Sequence, residues 1–157
     1  MLLAANLDRH RAVLEQHVGR VDRVRLGLPG AAAEQTFSRN ASMKTLITEE
    51  QRAQLLINGQ ARAEGRKLDP QPVVKLFTPD AHATWLLTEL DPRDGDTAFG
   101  LCDLGLGMPE LRCVRLSELA SIRGPSNQSI ERDLYFIPRR SLSEYAKLAH
   151  DNGSITD

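Results

Sequence analysis

The chain has 157 residues, which is the length of about one globular domain. Its 20 Lys and Arg residues stand against 21 Asp and Glu, so the formal charge is −1 and gives no general basic surplus for binding phosphates. The apolar runs fall far short of the ~20 residues of a membrane span. The apolar N-terminal stretch precedes its charges, the reverse of a secretory signal. We therefore expect a cytoplasmic protein with no membrane partner and no direct nucleic acid partner.

Residues 1–42 differ in sequence pattern from the rest of the chain. Apolar residues spaced between charged ones predict a helix to about Gly19, and the Gly- and Pro-rich stretch after it is typical of a linker. At Met43 the Gly- and Pro-rich stretch gives way to the regular pattern of a folded domain, and Met43 would also serve as a translation start. The sequence therefore predicts an N-terminal helix and linker extension over 1–42 and a single α+β domain over 43–157.

A helix from about Glu49 to Glu64 opens the predicted domain. Thr48 and Gln51 have the spacing of a capping box, in which each side chain bonds to the backbone N–H of the other residue. Gly65 is a typical end for such a helix.

Strand patterns follow this helix. Runs of β-branched, aromatic and alternating apolar residues, separated by clusters of turn residues, predict five strands. These strands cover residues 73–77, 83–90, 97–104, 111–116 and 133–137.

Two further helices accompany these strands. A short helix over 117–122, capped by Ser117, is expected before the fifth strand, and a closing helix begins at Ser141 or Ser143. It runs to about Ala149. Short turn-linked strands with helices before and after them predict an α+β fold, a mainly antiparallel sheet of about five short strands with flanking helices.

A histidine lies among several carboxylates near the second strand. Asp80 and His82 bracket a turn, and a His beside carboxylates suits acid–base chemistry or a partial metal site. Turns and hairpins also favour Asp for structural reasons. The further carboxylates are Glu89, Asp91, Asp94, Asp96 and Asp103. We predict no catalytic residues, no metal and no cofactor, and the alternative is a small hydrolase or nuclease-like enzyme that uses Asp80 and His82.

The glycines after the third strand and the two cysteines point to structural roles. Gly105 and Gly107 lead into a strand rather than a helix, so we predict a turn and not a dinucleotide-binding loop. Cys102 and Cys113 lie eleven residues apart without a Cys-x-x-Cys pattern. We expect both to be reduced thiols in the core.

The most specific pattern is Gln-Pro-Val-Val-Lys-Leu-Phe over residues 71–77. It resembles the linear motif by which bacterial proteins bind the DNA polymerase sliding clamp. That motif has a leading Gln, an aliphatic residue three positions on and an apolar pair at its end. The amide bonds to polar groups of a small pocket while the apolar side chains fill a hydrophobic one. The candidate contact residues are Gln71, Val74, Leu76 and Phe77. The same segment also fits a core strand, and both interpretations stay open.

Five stretches carry a resemblance to a known family. They are residues 72–80, 83–92, 98–105, 116–119 and 131–134. On these stretches the chain from Met43 onward resembles a small bacterial family of uncharacterised domains found on plasmids and other mobile elements. The family has no general assigned activity.

Within that family the chain is similar to the toxin of a toxin–antitoxin system. The resemblance implies a non-enzymatic toxin that binds the sliding clamp (the beta subunit of the polymerase) and blocks replication elongation. It would compete there with clamp-dependent replication and repair factors. The resemblance also implies proteolytic control, in which an antitoxin acts as the adaptor that delivers the toxin to the ClpXP protease. The alternatives are the enzyme described above and a non-catalytic accessory protein of a mobile element.

Overall fold

The computed structural model describes residues 46–156. The helix and linker predicted over 1–42 and the boundary at Met43 lie outside these residues, so the two-part division stays a prediction. The described elements, in chain order, are α1 (Glu49–Ala63), β1 (Val74–Phe77), β2 (Thr84–Leu90), β3 (Thr97–Asp103), β4 (Glu110–Arg115), α2 (Leu116–Ser121), β5 (Glu131–Arg132) and α3 (Leu142–Asn152). Within this part of the chain, no helix has the length and apolar composition needed to cross a membrane.

The five strands form one antiparallel sheet in the order β4-β3-β2-β1-β5. The strand β1 therefore has a partner on each edge. Leu76 lies opposite Trp85 of β2 on one side and opposite Arg132 of β5 on the other. The predicted α+β fold with a five-stranded antiparallel sheet is confirmed for the described residues.

Both faces of the sheet are covered, because its central strands carry apolar side chains on both sides. Leu55 of α1 and Leu119 of α2 pack with Leu76 and Trp85 on one face. Tyr145 of α3 and its neighbours pack against the other face. The strands β2 and β3 carry buried apolar side chains on both faces, β1 adds Val74 and Leu76 on one of them, and the helices shield this core from solvent.

The first helix fits closely on β2. The predicted capping box is present, since Gln51 N–H donates to the Thr48 hydroxyl at 3.1 Å and Thr48 N–H donates to the Gln51 amide oxygen at 3.0 Å. Farther along α1, a Cβ at Gly59 would lie 1.9 Å from the Leu90 carbonyl oxygen. Only a glycine permits this approach of helix to strand.

The fifth strand lies earlier than predicted. The prediction over 133–137 is wrong, because β5 comprises only Glu131–Arg132. The last backbone bond to β1 runs from Asp133 N–H to the Lys75 carbonyl oxygen at 2.9 Å. The Asp133 carboxylate then accepts the N–H of Tyr135 at 2.9 Å, which forms a local turn. The apolar residues after Asp133 therefore leave the sheet.

Ser117 does not cap the second helix, so that prediction is also wrong. The helix α2 begins at Leu116, and Arg115 is its N-cap. The N–H and hydroxyl of Ser117 donate to the Asp96 carboxylate at 2.8 and 2.6 Å. A carboxylate from the turn before β3 thus replaces the local cap. Ser141, by contrast, is confirmed as the N-cap of α3.

The two cysteines have different environments. Cys102 is buried in β3, as predicted, and its burial raises the pKa of the thiol to about 12. The prediction of a core position for Cys113 is wrong, because this residue is exposed on the edge strand β4. Edge strands expose more of their side chains, and the local alternation of residues does not distinguish an edge from a centre.

Leu76 provides a test of the central position of β1. Its side chain has no solvent exposure. We expect Leu76→Ala to lower the free energy of unfolding by about 2–5 kcal/mol, because it removes buried contacts and leaves a cavity. Urea unfolding followed by the fluorescence of Trp85, the only tryptophan, measures this change.

The matched control is Ile57→Ala on α1, where the side chain is 61% exposed. This change should alter the free energy of unfolding by no more than about 0.5 kcal/mol. An equally small effect of Leu76→Ala would contradict the burial of β1.

Candidate functional site

The segment that precedes β1 is fixed to the start of α3. Leu142 N–H donates to the Pro70 carbonyl oxygen at 3.0 Å. The Asp69 carboxylate accepts both the N–H and the hydroxyl of Ser143, the N–H at 3.0 Å. Gln71 follows directly and is exposed. The backbone before Gln71 is therefore held in place while its amide faces solvent.

The apolar residues of the predicted clamp motif lie differently. Val74 is 1% exposed and Leu76 is fully buried, both in the core cluster beneath α1 and α2. Phe77 is partly buried at the end of β1. Of the four predicted contact residues, only Gln71 and Phe77 have accessible side chains, and the structure does not bring the four together on one surface.

Residues 134–141, here called the arch, leave the sheet beside this segment. The arch is fixed at both ends, by the bond from Asp133 to Lys75 and by the bond from Leu142 to Pro70. The two attachment points, Pro70 and Lys75, are five residues apart, which is about 17 Å in extended chain at about 3.3 Å per residue. The connection from Asp133 to Leu142 is nine residues long, so its extended length is about 30 Å. The arch is therefore not a straight connection between its two ends.

The outward side of the arch is apolar. Leu134 is 72% exposed, Tyr135 is 91% exposed and Ile137 is 73% exposed. Phe136 points the other way, and its ring centroid lies 6.5 Å from that of Tyr145 in α3. The loop thus exposes three large apolar side chains to solvent, and the side chain of Phe136 packs it against α3.

Further contacts order the arch. Asp133 accepts the N–H of Tyr135 and also pairs with the Lys75 ammonium at 3.5 Å. At the other end, Arg139 N–H donates to the Tyr145 hydroxyl at 3.2 Å. The sequence predicted a strand here instead of a loop, because the apolar run over 133–137 also fits a strand. Pro138 and the turn-forming Asp133 are signals against a strand.

A cavity of about 630 Å³ opens where β1, β2 and β3 meet the C-terminal tail, and His82 and Asp103 both line it. The Asp103 carboxylate is buried and accepts the N–H of Gly105 at 2.8 Å and the N–H of Ile155 at 2.9 Å. Asp103 therefore ties the loop after β3 to the tail. Gly105 has φ of +74°, which agrees with the turn predicted there.

Asp80 does not share this cavity with His82. Its carboxylate accepts the N–H of Ser126 at 2.6 Å, and a Cβ at Gly124 would lie 1.7 Å from its other oxygen. Asp80 therefore faces the 124–126 loop, whereas His82 lines the cavity.

The remaining carboxylates have protein donors. Each accepts a hydrogen bond from a nearby side chain, and the acceptor and donor pairs are Glu89 with Arg62, Asp91 with Arg93, Asp94 with Thr97, and Asp96 with Ser117. Among residues 46–156, no group of three or more His, Cys, Asp or Glu residues is arranged to hold a metal ion.

The domain is thus an antiparallel sheet with an exposed glutamine and an apolar arch at the β5 side. The chain belongs to the family described as a protein of unknown function, DUF2958, whose model matches residues 46–156. This agrees with the resemblance to a family of uncharacterised domains. No curated protein and no solved structure matches the chain.

Asp94 provides a test of the carboxylates as structural acceptors. The hydroxyl of Thr97, and then the N–H groups of Thr97 and Asp96, lower the pKa of Asp94 from 3.8 to about 2. We expect Thr97→Val to raise this pKa toward its ordinary value, because the variant has no hydroxyl to donate. An NMR titration of the Asp94 carboxyl carbon measures the shift.

The same carboxylate affects stability in acid. Because its pKa is lower in the folded chain, its stabilising effect is complete above about pH 4 and is lost as the pH falls toward 2. Asp94→Asn should therefore show a shallower loss of stability over that range. An unchanged acid profile in this variant would contradict the role assigned to Asp94.

Proposed function

We propose that the chain is a non-enzymatic toxin that inhibits DNA replication by binding the DNA polymerase sliding clamp. It competes there with clamp-dependent replication and repair factors. The observation that supports this proposal is the motif-like spacing over 71–77, with Gln71 exposed on a backbone that is already fixed. A fixed backbone reduces the entropy lost when the amide enters a pocket.

The proposal also rests on a resemblance to the SocB toxin of the SocAB toxin–antitoxin system. In that system the toxin binds the clamp, and the antitoxin SocA is an adaptor that delivers the toxin to the ClpXP protease. We extend both relations to this chain. Its proposed partners are therefore the clamp, an antitoxin adaptor and ClpXP.

The buried motif residues set a condition on this binding. Val74 and Leu76 reach a clamp pocket only when β1 separates from β2 and β5, which is a local unfolding of the sheet. The apparent affinity would then fall with the fraction of molecules in the released state. Gln71 is the motif residue that can be changed without disturbing the core.

The enzyme alternative has one supporting observation, which is the position of His82 beside a cavity of ligand size. Against it, Asp80 faces a different loop, and the other carboxylates accept hydrogen bonds from the protein.

Direct binding to the sliding clamp of the host tests the proposal. We expect micromolar or tighter affinity, about −8 kcal/mol, from the purified chain. Gln71→Ala should weaken binding by about tenfold, because it removes a side chain that would be buried at the contact. The control is Gln128→Ala, an exposed glutamine in the loop before β5. Trp85 fluorescence confirms that both variants are folded.

Growth inhibition in cells distinguishes the clamp inhibitor from the enzyme. A stoichiometric competitor should lose its effect when the clamp is overproduced, and His82→Ala should leave the effect unchanged. Growth inhibition that does not change with the clamp level and disappears in His82→Ala would support the enzyme alternative instead. A wild-type chain that does not bind the clamp would overturn the proposal.

A further inference from the structure

We infer that the cavity beside the C-terminal tail binds a small organic cation, a primary ammonium or guanidinium group on an apolar stem, and that Asp103 is the partner of its charge. The cavity has a volume of about 630 Å³. Small-molecule sites in proteins have volumes of about 300–1,000 Å³. This inference goes beyond the proposed clamp binding and does not depend on it.

Three neighbouring strands form the floor of the cavity. Phe77 of β1 lies directly opposite Thr84 of β2, and Thr84 lies directly opposite Asp103 of β3. Residues that are opposite each other in an antiparallel pair share one face of the sheet. All three line the cavity. An aromatic ring, a hydroxyl and a carboxylate therefore lie in one row, which is about 10 Å long at the spacing of neighbouring strands.

The Asp103 carboxylate in this row is a buried charge with neutral donors. Asp103 is 4% exposed, and its two oxygens accept the backbone N–H groups of Gly105 and Ile155. Among residues 46–156, no Lys, Arg or His forms an ion pair with it. A carboxylate accepts at about four positions, so capacity for further donors remains. Because buried charges in proteins are generally paired, this one favours a cationic ligand in the cavity.

The charges around the cavity favour the same kind of ligand. Its lining in the described chain carries the carboxylates of Asp103 and Asp133 and the ammonium of Lys75, so its net charge is −1 with His82 neutral. Lys75 and Asp133 pair with each other at 3.5 Å. The charge of Asp103 is therefore the one that this lining does not balance. An ammonium group would be attracted here and a carboxylate repelled.

The other two residues of the row suit an ammonium group on an apolar stem. The ring of Phe77 attracts a cation that lies over its face, and it also offers apolar contact to the stem. The hydroxyl of Thr84 forms no hydrogen bond with another described residue, so it is open to an N–H donor of a ligand. Ala81 and Ile155 add apolar surface to the lining.

The walls of the cavity are held in place before any ligand binds. Asp103 ties the loop after β3 to the tail. A Cβ at Gly105 would lie 2.8 Å from the Cβ of His82, and a Cβ at Gly153 would lie 3.7 Å from the Gly107 carbonyl oxygen. The turn before β2, the loop after β3 and the tail are thus packed closely together. A site that is ordered in advance loses little entropy on binding.

Three probes with a phenyl ring and a two-carbon stem test the charge of the ligand. They are 2-phenylethylamine, 2-phenylethanol and 3-phenylpropanoate, which are cationic, neutral and anionic at pH 7. We expect the full chain to bind the amine with a dissociation constant of about 1 mM and the other two at least about tenfold more weakly. Titration followed by backbone NMR measures the affinities, and the shifts should centre on Thr84, Gly105 and Ile155.

Asp103→Asn tests the partner of the charge. The variant removes the negative charge and keeps one acceptor oxygen, so the amine should bind at least about tenfold more weakly while the alcohol changes by no more than about twofold. The matched control is Asp96→Asn, a carboxylate outside the cavity that also accepts two protein donors. This control should bind the amine as the wild-type chain does. Trp85 fluorescence shows that both variants are folded.

Phe77→Leu is a second variant that leaves the bonds of Asp103 in place. It keeps a large apolar side chain and removes the aromatic ring, so the preference for the amine over the alcohol should fall by about threefold. If Asp103→Asn does not fold, this preference decides the question, and an unchanged preference in Phe77→Leu then overturns the inference.

N-acetyl-lysine amide separates a free amine from the side chain of another protein, because both carry the same ammonium group. Weaker binding of this probe than of 2-phenylethylamine supports a small-molecule ligand. Tighter binding would assign the cavity to a lysine of a partner protein and overturn the inference.

The remaining outcomes are also decisive. The inference is overturned if the amine binds no better than the alcohol, if the carboxylate binds best, or if the NMR shifts lie away from the cavity. An equal loss of both the amine and the alcohol in Asp103→Asn would leave Asp103 a structural role alone and also overturn it. A chain that binds the clamp but not the amine would contradict this inference and leave the proposed function standing.

Discussion

The pairing of β1 on both of its edges is the constraint on which the other features depend. Two neighbouring strands and a covering layer of helices leave Leu76 without solvent contact. A segment with the composition of a docking peptide is thereby placed at the centre of the domain. The same pairing fixes Asp133 beside β1, and it is from this point that the arch leaves the sheet. Burial of the strand and exposure of the arch are two results of one arrangement.

The acidic residues hold this arrangement together across long stretches of chain. Asp69 accepts donors at the start of α3, Asp96 accepts donors at the start of α2, and Asp103 joins the loop after β3 to the tail. Each carboxylate satisfies N–H groups that a helix start or a loop would otherwise leave unpaired. Asp96 and Asp103, two of the carboxylates that the sequence places near His82, thus accept structural hydrogen bonds in the fold.

Local signals predicted most of the described elements. The capping box of Thr48 and Gln51 and the alternating residues of the first four strands act over a few positions, so α1 and β1–β4 agree with the prediction within one or two residues. The cap of α2 failed because its acceptor, Asp96, lies 21 residues from Ser117. The burial of Leu76 follows from helices and strands that lie elsewhere in the chain, so the local sequence does not show it. Gln71 was identified as a candidate, whereas the arch was concealed by a composition that also suits a strand.

The arch differs from the core in what its side chains contribute to stability. Tyr135 is 91% exposed, so its side chain adds almost nothing to the core, whereas Gly59 meets a backbone oxygen and tolerates no side chain at all. Substitutions can therefore accumulate on the outward side of the arch at little loss of stability. Sequence change on this surface and sequence change in the core are therefore largely independent of each other.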